Sequence, residues 1–87
     1  MNLYTKIDDA FEAFKASSAS DRKAQIPKLQ GICREIESAT NNDSYVGSKC
    51  VSFIEVCRHM ARLRQSKSYD EFSEISNALG DLNIMRQ

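Results

Sequence analysis

Residues 44–65, SYVGSKCVSFIEVCRHMARLRQ, decide the fold. At 100° per residue, Tyr45, Val46, Cys50, Phe53, Ile54, Val56, Cys57, Met60, Ala61 and Leu63 cover roughly half the circumference of a helix. A helix that apolar must touch several neighbours at once, so the stretch predicts the central helix of an all-α domain, running from about Ser44 to Gln65. Gly47 near its start costs some helix propensity and permits a close backbone approach.

Toward the amino terminus, residues 38–43 (SATNND) have no apolar period and are rich in turn formers, which predicts a loop, with Asp43 or Asn42 capping the central helix. Before that loop, Ile26, Leu29, Ile32, Cys33 and Ile36 form a second stripe, opened by a capping-box pattern of Ser18 with Asp21. Pro27 lacks an amide donor and clashes with the preceding turn, so this second helix is expected to be kinked or split there. Leu3, Ile7, Ala10, Phe11 and Phe14 fall on one face of a first helix, with Asp8, Asp9 and Glu12 opposite, Asn2 as its cap and Ser17-Ser18 weakening its end. Toward the carboxyl terminus, Ser66-Lys67-Ser68 closes the central helix. Ser68 with Glu71 then opens a fourth, whose Tyr69, Phe72, Ile75 and Leu79 share a face and whose natural C′ residue is Gly80. The tail from Asp81 to Gln87 keeps Leu82, Ile84 and Met85, too apolar for a solvated end without a docking site. The elements predict one domain over residues 1–87: a small antiparallel bundle of four helices.

Composition agrees with a compact domain. The chain has 87 residues, 41% hydrophobic and 28% charged, too polar for a membrane protein and too apolar for a disordered tail. A core this thin often leans on self-association, so completion of the bundle by dimerisation is an expectation from size alone. Twelve Lys plus Arg balance twelve Asp plus Glu, leaving no global field toward nucleic acid or an anionic membrane. Asp8, Asp9 and Glu12, interspersed among the apolar residues of Met1 to Phe14, argue against a secretory leader, and no apolar run approaches a membrane span. Three cysteines without C-x-x-C spacing suit a reducing interior, so a cytoplasmic location is expected.

Few residues offer chemistry. His59, the single histidine, stands four residues after Glu55, a spacing that permits an ion pair on one helix face. Cys57 points to a different face, so no nucleophile–base pair is evident. Cys50 and Cys57 are separated by roughly 10.5 Å of helical rise and cannot share one metal or disulfide in a straight helix. Cys33 can meet only one of them, which leaves a redox contact as a residual idea beside three small buried hydrophobes. Arg58, Arg62, Arg64 and Lys67 cluster beside His59, where positive charge complements a helix C-terminus and can pair with Glu55. Phosphate loops and HExxH, CxxC and GxSxG patterns are absent, and no cofactor or metal is implied.

A non-catalytic protein-interaction module is therefore expected, an adaptor, chaperone, inhibitor or regulator that docks a protein partner or a second copy. Its electrostatic contacts would be Glu55, Arg58, His59, Arg62, Arg64 and Lys67, and its apolar ones Leu82, Ile84 and Met85. Binding of nucleic acid or a phosphorylated ligand by the basic cluster is the weaker alternative, since no aromatic interleaves with it and the net charge is zero.

Overall fold

The computed structural model describes residues 2–61 and 71–85, with side chains in the second stretch from Ser73 onward. Within them, four α-helices pack together and there is no strand: α1 (Leu3–Lys15), α2 (Ala19–Ala39), α3 (Ser44–Ala61) and α4 (Glu71–Met85). The expected run of the central helix on to Gln65, its closure at Ser66-Lys67-Ser68, the Ser68–Glu71 capping box, and the apolar positions Leu63, Tyr69 and Phe72 lie outside the described residues and side chains.

Side-chain caps set three helix starts. Asn2 Oδ1 accepts from the Tyr4 amide at 2.8 Å and Ser18 Oγ from the Asp21 amide at 3.3 Å. Asp43 Oδ1 accepts from the amides of Tyr45 and Val46 at 2.9 and 3.1 Å. Each bond satisfies an amide that the first turn leaves without an intrahelical partner. The end of α2 is held differently. Asn41 and Asn42 both adopt positive φ, 56° and 58°, a left-handed conformation that asparagine tolerates better than most residues. The Asn42 amide thereby returns to the Glu37 carbonyl at 2.8 Å and the Asn41 amide to the Ser38 carbonyl at 3.2 Å, the paired bonds of a Schellman ending. Because those bonds hold Ser38 and Ala39 in the last helical turn, the loop is shorter than residues 38–43.

α2 is one helix through Pro27, so it is not split. Pro27 and Lys23, whose carbonyl would have met the missing amide, are both exposed, and water can satisfy that carbonyl. The turn between α1 and α2 is fastened by Arg22, which is buried. Its Nε donates to the Phe14 carbonyl at 3.1 Å and its Nη2 to the Lys15 carbonyl at 2.7 Å. These are among the last carbonyls of α1, which lack amide partners within their own helix. The guanidinium also lies 5.7 Å from the centre of the Phe14 ring.

The core takes Ile7, Phe11 and Phe14 from α1, Ile26, Leu29, Ile32, Cys33 and Ile36 from α2, Cys50, Phe53, Ile54, Cys57 and Met60 from α3, and Ala78, Leu82 and Met85 from α4. Phe53 is fully buried, its ring edge-on to Phe11 at 5.3 Å between centres, and Phe11 stacks on Phe14 at 6.0 Å. Successive helices pack against each other, α1 on α2, α2 on α3 and α3 on α4.

Three expectations are corrected. Gly80 does not end the fourth helix, which continues to Met85 with Gly80 inside it. Leu82 and Met85 extend the inward row begun by Ile75 and Ala78. Burying two such side chains, at roughly 1.5–3 kcal/mol each, outweighs the roughly 1 kcal/mol that glycine costs within a helix. Leu79 stands off that row and is exposed rather than facing inward. At Gly47 an added Cβ would meet nothing within 4 Å, so no backbone approaches it closely. Among the described residues, no helix is long and apolar enough to cross a membrane.

Candidate functional site

The surface between α2 and α3 collects the polar and apolar groups that the core leaves outside. On α2, Gln30, Arg34 and Glu37 are spaced by four and three residues and so share one face. On α3, Val51, Glu55 and Arg58 repeat that spacing. The two rows border a groove of about 250 Å³ with Ile54 on its wall and the thiol-bearing Cys33 and Cys50 at its base. Val51 is 62% exposed although Cys50, before it, is buried against the core. A β-branched apolar side chain thus stands in solvent between charged neighbours. Tyr45, one of the expected inward residues, is also exposed, and its ring is partly covered by the Lys49 ammonium 5.5 Å from its centre.

Of the electrostatic candidates, Glu55, Arg58 and His59 lie within the described residues, while Arg62, Arg64 and Lys67 lie outside them. Glu55 pairs with Arg58 rather than with His59, Oε1 to Nη1 at 2.6 Å. His59 reaches across to the next helix instead, Nδ1 to Glu74 Oε1 at 3.1 Å, fastening α3 to α4. Both residues border a second, wider hollow of about 560 Å³ with Ser52, Val56 and Glu74. The paired Glu55 and Arg58 border both hollows. Each hollow also holds carboxylates, Glu37 and Glu55 in the first, Glu55 and Glu74 in the second, so neither presents a purely cationic lining.

The apolar candidates behave differently from one another. Leu82 and Met85 are in the core, so the docking site that the tail requires is the chain's own interior. Ile84 is half-buried and borders a hollow with Tyr4, Thr40, Tyr45 and Val46.

All three cysteines are free and buried. Desolvation pushes the Cys57 thiol up to about 12, against a smaller opposing pull from the Arg22 guanidinium. Cys33 lies beside Cys50: the Cys50 side chain holds the Cys33 thiol well above its ordinary value, and the Cys33 side chain draws that of Cys50 below it. Cys50 Sγ donates to the Cys33 carbonyl oxygen at 3.8 Å and to Met85 Sδ at 3.3 Å, so α2, α3 and α4 meet at the Cys50 sulfur. Among the described residues, no group of three His, Cys, Asp or Glu side chains is placed to hold a metal ion.

Reading the sequence for stripes and charge clusters missed Val51, Gln30, Arg34 and Glu37. Their signal is a shared i, i+4, i+7 spacing on two successive helices, visible only once the two helices are placed side by side. No protein-family model matches the chain, and neither does any curated protein or solved structure.

Proposed function

We propose that this chain is a small, non-catalytic protein-interaction module of the cytoplasm, acting as an adaptor, inhibitor or regulator, and that it docks a protein partner on the α2–α3 face. The observation that carries the reading is Val51, 62% exposed at the edge of a groove whose rim alternates Arg34, Glu37, Glu55 and Arg58. An apolar side chain exposed beside charges of both signs suits a protein contact, in which the apolar group contributes affinity and the charges set register. Arg62, Arg64 and Lys67 follow Arg58 in the sequence and extend the charged side of the same reading.

The helices are inferred to run antiparallel. Lys6 pairs with Glu35 at 3.0 Å while Phe14 receives Arg22, so partners on α2 fall in number as those on α1 rise. The same descent relates Cys50 with Met85 to His59 with Glu74 on α3 and α4. A second copy of the chain is one partner this face would accept, which is the dimeric form of the proposal. Binding of nucleic acid or a phosphorylated ligand by the basic residues is the weaker reading, because Arg58 already bonds Glu55 and carboxylates border both hollows.

Val51→Asp combined with Arg58→Glu tests the face. Affinity isolation from the native host with the unchanged chain and with the double variant, read by quantitative mass spectrometry, should show a protein retained by the first and lost at least tenfold by the second. Light scattering on both chains reports the dimeric form, expected as a halving of particle mass in the variant. Identical retained proteins and identical particle mass for the two chains would overturn the docking face.

A further inference from the structure

We propose that Cys33 and Cys50 form a reversible dithiol–disulfide pair, oxidised by a hydroperoxide, that staples α2 to α3 at the base of the groove. The two residues come from different helices and approach closely: Cys50 Sγ donates to the Cys33 carbonyl oxygen at 3.8 Å. Both border the groove between the helices, which supplies the route by which a small oxidant reaches them. Cys57 is fully buried elsewhere on the inner face of α3 and does not border that groove.

Their environments divide the labour of a two-step oxidation. The neighbouring Cys33 side chain draws the Cys50 thiol below its ordinary value, while the Cys50 side chain holds the Cys33 thiol above its own, so Cys50 is the readier nucleophile. A thiolate is the nucleophile in such chemistry. In the first step Cys50 sulfur attacks one peroxide oxygen, an S–O bond forms and the O–O bond breaks. The departing alkoxide, or hydroxide when the oxidant is hydrogen peroxide, takes the proton released by Cys50, leaving Cys50 as a sulfenic acid. In the second step Cys33 sulfur attacks the Cys50 sulfur, the S–S bond forms and the S–O bond breaks. The hydroxide leaves with the Cys33 proton as water. Two thiols lose two electrons, and one hydroperoxide gains them to become one alcohol and one water. A thiol reductant reverses the bond by exchange.

The two sulfurs join residues separated by the Asn41-Asn42 turn, so the bond would close that hairpin of helices without bringing any distant segment together. This inference rests on the thiols alone and stands whatever binds at the α2–α3 face.

The test treats the reduced full chain with hydrogen peroxide while circular dichroism confirms that it stays folded, then blocks free thiols with an alkylating agent. The expected product is a single chain that has lost the mass of two hydrogen atoms and retains one alkylatable thiol. Non-reducing peptide mapping should join the Cys33 and Cys50 peptides, and dithiothreitol should restore three free thiols. Cys57→Ser should leave the cross-link in place and Cys50→Ser should abolish it, while the mapping of the unchanged chain decides the matter without either variant. A gain of one oxygen at Met85 in place of the cross-link, a bond to Cys57 or to a second chain, or no reaction before the helices melt would each overturn the pair.

Discussion

Burial on the inner face of α3 gives Cys57 a measurable effect on stability. Its thiol ionises near 9.0 when unfolded but is pushed up to about 12 in the folded chain by desolvation. Below pH 9 both states hold the proton and the contribution is fully present. As pH rises from 9 toward 12 only the unfolded state releases it, so the folded state loses about 1.4 kcal/mol per pH unit. Urea denaturation at pH 8 and pH 10 should therefore show Cys57→Ala losing about 1.4 kcal/mol less stability between the two pH values than the unchanged chain. Equal losses would mean that the thiol is not shielded from water. At this scale the sequence is partly legible. Cys57 reads as a core position because its spacing to Phe53 and Met60 is helical. Arg22 does not read that way, because burying a guanidinium has no period. Its burial depends on the last carbonyls of α1 arriving beside it, and that follows from the turn at Ser17-Ser18 rather than from any residue near it in α2.

Among the elements, α2 carries the clearest local conflict. Its apolar face continues on both sides of Pro27, and the helix forms through the proline because Ile26 and Leu29 are buried on the side facing the core. A proline in a helix interior costs about 3 kcal/mol relative to alanine, offset by up to about 1 kcal/mol because its ring also restricts the unfolded chain. Since Pro27 is exposed and an added amide would find the Lys23 carbonyl, Pro27→Ala should stabilise the protein by about 2 kcal/mol. Equilibrium denaturation checks it, and a destabilised variant would show that the proline bends α2 into its packing. The element starts were legible because caps act through neighbours in sequence, as Asn2, Ser18 and Asp43 do. The end of α4 was not. Gly80 carries the local mark of a helix end, yet the burial of Leu82 and Met85 decides the outcome, and that burial depends on α3 lying alongside.

For the whole molecule, the balance between core and surface determines which substitutions can report on function. A chain of 87 residues is expected to hold only about 4–13 kcal/mol of stability. The molecule extends 38 × 22 × 16 Å, so its shortest dimension leaves little depth for a core. Phe53 sits within that depth, with no solvent exposure and its ring against Phe11. Truncation leaves a cavity among side chains from neighbouring helices, and Phe53→Ala should cost about 3–5 kcal/mol, a large share of the total. Val51, two residues earlier, faces solvent, and a polar substitution there should change stability by no more than about 0.5 kcal/mol. Denaturation of Phe53→Ala and Val51→Asp side by side should therefore give a strongly lowered midpoint for the first and an unchanged one for the second. That contrast separates loss of binding from loss of fold at the α2–α3 face: a Val51 variant that unfolded as Phe53→Ala does would place Val51 in the core and remove it from the docking surface.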